Sequence, residues 1–359
     1  MEKALFAEFP PITDEQWQKL VLKDLKGSAL ETLDWTSPEG ITVAPYYRAS
    51  DAPLLTVPVR PAGEWLIRQD IDATDTKAAN LQALDALQRG ATALSFDCPA
   101  NTNLETLLKD VLVEHIQTDW FIEDTNTLDK LITLISARQL DATAINGSVQ
   151  YNPTDLGAYF NKYHAHLPGF KLFTIAPSNA ETLTEQTAIQ LKVANEILVT
   201  LTSAGIAPTE ALLNIKFDIA VGTDHFFEIA RLRVLRALWA VICQQYLPSY
   251  ATPAFVHATN KKVLPEKDGY YEMIRQTTQA LSAVIGGADS LSLEPHLATP
   301  DRSAAFQDRI ARNVQLILQH ESHLDSVTDP AAGSYYIEAI TSQMAANTWK
   351  RFVQLTQAI

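Results

Sequence analysis

The stretch "LLNIKFDIAVGTDHFFEIARLRVLRALWAVI", residues 212–242, contains a strand pattern followed directly by a helix pattern. Its first part is a short apolar run of β-prone residues, which is typical of a buried strand. In its second part, apolar residues recur every three or four positions: Phe226, Ile229, Ala230, Val234, Ala237 and Val241. This spacing predicts a long helix that packs an apolar face against a sheet.

The polar residues of the same stretch make local predictions. Thr223 or Asp224 is expected to cap the helix, and Glu228 is expected to pair with Arg231 one turn later. The arginines, Arg231, Arg233 and Arg236, are expected to surround the apolar face.

The strand–helix alternation continues along most of the chain from Glu64 onward. We interpret eight runs as strands: "WLIRQDI" 65–71, "ATALSFD" 91–97, "ATAING" 142–147, "FKLFTIAPS" 170–178, "LLNIKFDIAVG" 212–222, "TPAFVHAT" 252–259, "ADSLSLEP" 288–295 and "GSYYIEAI" 333–340. Helical patterns separate most of them, which predicts a parallel sheet. Eight such units predict a (β/α)8 TIM barrel over residues 64–359. A doubly wound sheet is the alternative, but no G-x-G-x-x-G follows a strand.

Residues 1–63 have a different character. Thr13 and Gln16 have capping-box spacing, apolar residues follow at helical spacing, and Gly27 stands where a helix would end. The rest of this segment is rich in proline and turn residues. We predict an N-terminal helix and an extended arm that wraps the barrel.

Charge and composition exclude several classes of function. The net charge of −14 argues against nucleic acid, because phosphate binding requires concentrated lysine and arginine. No apolar run approaches the roughly 20 residues that span a membrane, and no secretory signal is evident. Two cysteines, Cys98 and Cys243, make neither a disulfide framework nor a zinc motif. A cytoplasmic protein is expected.

Barrel enzymes place their functional groups at the carboxyl ends of the strands. We predict seven ligand-pocket residues at this mouth: Arg68, Gln69, Asp97, Asn146, Asn179, Asp224 and His257. Arg68 could clamp a carboxylate or a thioester carbonyl, or it could pair with Asp97 or Asp70. His257 and His296 lack a third partner, so no metal is expected. There is also no G-x-S-x-G, Walker A or zincin motif.

Three long stretches resemble a known family. "VGTDHFFEIARLRVLRALWAVI" 221–242, "YYEMIRQTTQALSAVIGGADSLSLEPH" 270–296 and "RIARNVQLILQHESHLDSVTDPAAGSYYIEAIT" 309–341 are similar, in this order, to the barrel domain of methylmalonyl-CoA mutases. The segment "DLKG…ETLDWTSPEGITVAPYY" is similar to the N-terminal arm of that family. The resemblance covers nearly the whole chain.

The resemblance implies an adenosylcobalamin-dependent isomerase of propionate metabolism, which interconverts methylmalonyl-CoA and succinyl-CoA. It implies CoA threaded along the barrel axis and the corrin ring at the mouth. A further domain with an Asp-x-His-x-x-Gly motif binds cobalamin in the family, and this sequence lacks that motif. We therefore expect no cofactor to be bound by this chain alone.

Several family motifs are changed in the barrel. The Tyr-His pair of a Ser-Gly-Tyr-His segment is absent from "IAPSNAETLTEQTA", and the Pro-Thr-Met-Tyr stretch of the arm is missing. "FVHATN" keeps only His257 of Arg-Thr-His-Ser-Gln, and "EPHLATPD" replaces Asn-Ala-x-x-Glu, whereas Ile67-Arg68-Gln69 is retained. Radical chemistry requires groups that hold the substrate in register. The resemblance therefore indicates a small, non-catalytic subunit with no catalytic residues, which stabilises a large catalytic subunit in a heterodimer.

Two alternatives stay open at the level of sequence. One is an acyl-CoA mutase barrel with another substrate, whose cobalamin domain is missing or lies on another chain. The other is an unrelated barrel activity that uses Arg68, Asp97 and His257. Whether acyl-CoA can thread the axis depends on whether an aromatic side chain, from Phe173, Phe217 or Phe255, fills it.

Overall fold

The computed structural model describes residues 12–48, 55–260, 269–294 and 304–357. The N-terminal part contains helix α1, Asp14–Asp24, and a small antiparallel hairpin of β1, Trp35–Thr36, and β2, Thr42–Val43. The predicted capping box is confirmed, since Thr13 and Gln16 exchange both hydrogen bonds. None of the residues of α1 is buried.

A parallel sheet forms the centre of the molecule. Its strands are β3 Leu66–Asp72, β4 Ala93–Cys98, β5 Gln117–Ile122, β6 Asn146–Gln150, β7 Gly169–Lys171, β8 Phe173–Ile175, β9 Ile215–Val221, β10 Phe255–Asn260 and β11 Ser290–Ser292. They are ordered β7-β6-β5-β4-β3-β11-β10-β9-β8. Only Leu172 separates β7 from β8, so these two are halves of one strand. The sheet therefore closes into an eight-stranded barrel, and the predicted fold class is confirmed.

Helices surround this barrel. They are α2 Thr76–Gln88, α3 Leu104–Leu107, α4 Asn126–Ala137, α5 Leu156–Tyr163, α6 Leu183–Ser203, α7 Pro208–Leu213, α8 His225–Tyr246, α9 Gly269–Ile285, α10 Ala304–Leu316 and α11 Tyr335–Gln357. The last of them, α11, packs against both α6 and α8. Within the described ranges, none of the helices has the length and apolar character needed to cross a membrane.

Two strand assignments were wrong. The third strand of the barrel is β5, in a stretch that was not predicted as a strand, and the predicted third strand, "ATAING" 142–147, overlaps the fourth strand, β6, only at Asn146 and Gly147. The stretch "GSYYIEAI" is instead the start of α11. Ile337, Ile340 and Met344 are buried at helical spacing, and the Gly333 N–H donates to the Glu338 carboxylate at the first turn. A short run of β-prone residues thus belongs to a helix because the spacing over a longer window is helical.

Helix α8 is buried more completely than its sequence pattern predicts. Arg231, Arg233 and Arg236 are each at most 2% exposed, whereas Phe226 and Val241 are more than 40% exposed. The predicted Glu228–Arg231 pair is present, with 3.3 Å between the charged groups. Asp224 is the residue before the helix, but its side chain makes no capping hydrogen bond.

The arm is attached to the barrel by a carboxylate at a helix end. Glu39, in the turn between β1 and β2, accepts hydrogen bonds from the backbone N–H groups of Leu183 and Thr184, at 2.7 and 2.9 Å. These N–H groups begin helix α6 and have no partner within it. A negative charge at this position is also stabilised by the helix dipole. Ile41, two residues further on, is fully buried.

We predict that Glu39→Gln lowers the free energy of unfolding by about 1 kcal/mol, because it removes the charge and one of the two acceptor oxygens at the start of α6. Urea denaturation followed by circular dichroism measures this change. Glu31→Gln is the matched control, since Glu31 is exposed on the same arm. Equal stability of the two variants would contradict the anchoring role of Glu39.

Candidate functional site

The interior of the barrel is polar. Strand residues that face the helices are apolar and buried, for example Ile67, Phe96, Trp120, Val149, Phe217 and Val256. The alternate positions, which face the axis, carry charged, hydroxyl and imidazole groups: Arg68, Asp119, Ser148, Lys216, Asp218, His257, Ser290 and Ser292. Each of these is at least nine-tenths buried. Buried polar groups of this number require mutual partners.

Asp119 on β5 is the centre of these contacts. Its Oδ2 atom lies 3.0 Å from Arg68 Nη1 and 3.1 Å from Lys216 Nζ. Its other oxygen accepts a hydrogen bond from the Ser148 hydroxyl at 2.7 Å. Lys216 also donates to Ser148 at 2.9 Å and lies 3.3 Å from Asp218 Oδ1. We call Arg68, Asp119, Lys216 and Asp218 the axial ion cluster.

The electrostatics keep the central groups charged. Burial works against ionisation of Asp119, but Lys216 and Arg68 outweigh it and hold its pKa down to about 2. Burial likewise opposes the charge on Arg68, yet Asp70 and Asp119 outweigh it and raise the pKa of the guanidinium. The pKa of Asp218 is raised, because burial exceeds the effect of Lys216 and Arg68. Asp119 is therefore the main counter-charge in the axis.

His257 on β10 is also part of the interior and is only 1% exposed. Its Nδ1 lies 3.0 Å from the Ser290 hydroxyl and its Nε2 lies 3.3 Å from the Ser292 hydroxyl. Burial, reinforced by the charges of Arg68 and Lys216, lowers its pKa well below the usual value. His257 is thus a neutral, fully enclosed imidazole.

The three phenylalanines that were considered as possible obstructions of the axis, Phe173, Phe217 and Phe255, do not block the middle of the barrel. Phe173 faces helix α5, with its ring 5.8 Å from that of Tyr159, and Phe217 faces helix α8, with its ring 5.1 Å from that of Trp239. Phe255 is in register with Lys216 at the amino-terminal end of the barrel. The axial ion cluster, and not an aromatic side chain, crosses the middle of the axis.

The predicted pocket residues lie in different places. Arg68 pairs with Asp70, at 2.8 Å, and not with Asp97. Gln69 faces outward and accepts a hydrogen bond from Arg312 at 2.9 Å. Asn146 is the first residue of β6, so it lies at the end of the barrel opposite the mouth. The placement of Asn146 at the mouth was wrong, because strand β6 begins later than the pattern suggested.

The other three predicted pocket residues do lie at the carboxyl ends of strands. Asp97 is the last but one residue of β4, whereas Asn179 and Asp224 are exposed in the loops before α6 and α8. In the part of the chain that the structure describes, no hydrogen bond or ion pair joins any of them to Arg68 or His257. The second metal-ligand candidate, His296, lies outside the described residues.

Sequence reasoning did not identify Asp119, Lys216 or Asp218. Lys216 and Asp218 did carry a signal, because they alternate within the apolar run "IKFDIA" of a strand. Such alternation indicates one apolar face and one polar face. Asp119 gave a weaker signal, since its strand was not recognised.

The fold and its interior define a (β/α)8 barrel protein whose axis is occupied by buried ion pairs. The family of methylmalonyl-CoA mutases matches residues 144–358 of this chain. This match extends over more than half of the sequence, and the chain belongs to the methylmalonyl-CoA mutase family.

Individual relatives agree with this assignment. The methylmalonyl-CoA mutase small subunit of Porphyromonas gingivalis is 33% identical over 99% of this chain, and that of Streptomyces virginiae is 30% identical over 99%. The methylmalonyl-CoA mutase of Rhizobium meliloti is 27% identical over 94% of the chain. The chain spans 65% of the length of the two small subunits and 57% of the Rhizobium protein. The first two names describe subunits of an assembly.

We predict that Asp119→Ala lowers the free energy of unfolding by roughly 3–5 kcal/mol, because it leaves two buried cations without their shared partner. Guanidinium denaturation measures the loss. Asp70→Ala is the matched comparison: this carboxylate also pairs with Arg68 but is 41% exposed, so a loss of about 1 kcal/mol or less is expected. Similar losses in both variants would contradict the central position of Asp119.

Proposed function

We propose that this chain is the small, non-catalytic subunit of an adenosylcobalamin-dependent methylmalonyl-CoA mutase. In this proposal a large subunit carries out the isomerisation of methylmalonyl-CoA and succinyl-CoA, and the present chain stabilises it in a cytoplasmic heterodimer. Residues 1–63 would act as the arm of this subunit and residues 64–359 as its barrel. The single observation that carries the proposal is the filled barrel axis in a chain of this family.

The residues in the axis do not fit a threaded CoA. A channel for the pantetheine chain would have to pass through the level at which Arg68 and Lys216 meet Asp119, where the ion-pair distances are 3.0 and 3.1 Å. Opening this level would separate buried charges, which costs several kcal/mol. The CoA part is common to all acyl-CoA substrates. The closed axis therefore argues equally against methylmalonyl-CoA and against a different acyl-CoA.

The described mouth residues also do not fit a cobalt ligand. His257 is enclosed below the mouth between two serine hydroxyls. In this proposal the large subunit holds the cofactor, and the present chain carries out no catalytic step.

The surface supports a role in assembly. Helix α1 carries exposed apolar side chains on its surface, including Trp17 at 38% and Leu20 at 56% exposure. Trp17 contacts Tyr46 of the arm, with ring centroids 4.0 Å apart, yet no residue of the helix is buried. Trp35 in the hairpin is 52% exposed. Large apolar side chains that remain exposed on one segment are typical of a protein–protein interface.

The first test is calorimetric titration of the chain with methylmalonyl-CoA, succinyl-CoA and free CoA. We expect no saturable heat at concentrations up to the order of 1 mM, because the axis is closed. The large subunit, titrated in parallel, provides the positive control. Saturable binding of an acyl-CoA to this chain would contradict the proposal and would favour an acyl-CoA mutase with another substrate.

The second test measures assembly. Mixed with the large subunit, the chain should form a stable complex in gel filtration, and Leu20→Asp should weaken that complex at least about tenfold, since it places a charge in the apolar contact. Lys19→Asp is the control on a neighbouring position of the same helix. Circular dichroism verifies that each variant is folded. A failure of the unsubstituted chain to bind the large subunit would refute the subunit role.

A further inference from the structure

A cavity lies on the outer side of the barrel strands. It has a volume of about 380 Å³ and is lined by residues of β8, of the loop after β6 and of helix α6. Phe173 and Ile175, which alternate along β8 and are both buried, belong to its wall. Because Phe173 packs on Tyr159 of helix α5, this wall faces the helices and not the axis. A molecule in the cavity would therefore leave the axial ion cluster untouched.

The described residues that line this cavity include no charged side chain. Helices α5 and α6 contribute aliphatic groups to its walls, namely Leu156, Ile189, Val193 and Ile197. Transfer of a charge from water into such surroundings is unfavourable unless a counter-charge is present. The cavity is therefore suited to an uncharged molecule.

Gln190 on α6 supplies a buried hydrogen-bond acceptor that is not used. It lines the cavity and is 1% exposed. Its Nε2 donates to the backbone carbonyls of Ala176, at 3.1 Å, and Asp218, at 2.8 Å. Two carbonyl partners identify this atom as the nitrogen of the carboxamide, so the other atom is the oxygen.

This Oε1 atom of Gln190 has no hydrogen-bond partner in the part of the chain that the structure describes. Side-chain amides at this depth normally have all their polar atoms satisfied. An N–H group of a molecule in the cavity would supply the missing donor. The orphaned oxygen is an observation independent of the cavity itself, and it specifies a donor in the ligand.

Aromatic rings form another part of the wall. Tyr151 and Phe173 line the cavity, and the ring of Tyr159 packs on both, with centroids 5.7 and 5.8 Å apart. Aromatic side chains favour stacked or edge-on contacts with another ring. Val193, at 38% exposure, lies where the cavity meets solvent. The volume lies at the lower end of the range of small-molecule sites.

We propose that this cavity binds a small, uncharged heteroaromatic molecule with one N–H donor. The N–H group donates to Gln190 Oε1, and the ring system lies against Tyr151 and Phe173. The site goes beyond the subunit role, since it lies outside the barrel axis and uses none of the residues assigned to assembly.

The test is calorimetric titration of the full chain with indole and with benzofuran, which has nearly the same shape but an oxygen in place of the N–H group. We expect saturable binding of indole with one site per chain. Benzofuran should bind at least about fivefold more weakly, because it directs an acceptor and not a donor at Gln190.

Two variants locate the site. Val193→Trp should weaken indole binding at least about tenfold, because it places a large side chain at the opening of the cavity. Val199→Trp is the matched control, since Val199 is exposed on the same helix but does not line the cavity. Gln190→Met removes the acceptor and should give indole and benzofuran equal affinity. Circular dichroism verifies the folding of each variant.

Three results would overturn the proposal. They are no saturable heat with indole up to the order of 10 mM, equal affinity of the unsubstituted chain for indole and benzofuran, and equal affinity of Val193→Trp and Val199→Trp for indole. The comparison of the two probes uses the unsubstituted chain, so it holds even if Gln190→Met does not fold. None of these results depends on the large subunit, so the subunit role is tested separately.

Discussion

One carboxylate oxygen of Asp119 receives two buried cations, Arg68 from β3 and Lys216 from β9, and this shared contact fixes three strands of the barrel at one height. Removing a charge from water costs several kcal/mol, so the contact is favourable only while all partners are present. With Asp218 added, two buried cations face two buried acids. The buried cations of the interior are therefore paired within the chain itself, and these ion pairs lie in the middle of the barrel.

Ion pairs also organise the outer layer. Arg233 on α8 binds the Glu338 carboxylate through two nitrogens, at 2.8 and 3.2 Å, and lies 3.1 Å from Asp329. Arg236 pairs with Asp289 just before β11 at 2.7 Å. The contacts of Arg233 attach α11 and the loop before it to α8, and the contact of Arg236 attaches the start of β11 to the same helix. The segment "DPAAGSYYIE", which carries much of the resemblance to the mutase family, is thus a structural anchor and does not contribute a barrel strand.

The sequence was sufficient for the barrel class, for the unit β9–α8 and for the capping box of α1, because local periodicity and spacing determine them. It was insufficient where the deciding partner is distant in the chain. From the sequence alone, Arg233 resembles a solvent-facing residue. Only the folded structure brings Glu338 and Asp329 beside it. Strand β5 was missed because Asp119 faces inward and interrupts the apolar pattern of a buried strand. An aspartate can be buried at this position only because it pairs with cations from β3 and β9. The site residues were difficult to predict for the same reason, since burial and pairing are three-dimensional properties.

The position of the ion pairs within the barrel distinguishes the proposed subunit role from that of an acyl-CoA mutase with another substrate. An acyl-CoA mutase with a new substrate would need different groups around the acyl moiety, at the mouth, but would keep the passage for CoA. Here the passage itself is filled, and Arg68, which the family pattern retains, is committed to Asp119 and Asp70. A chain that no longer binds CoA can satisfy its polar interior with its own ion pairs. In the proposed role the contact with a partner subunit would use the outer surface, where apolar residues of α1 and the hairpin are exposed.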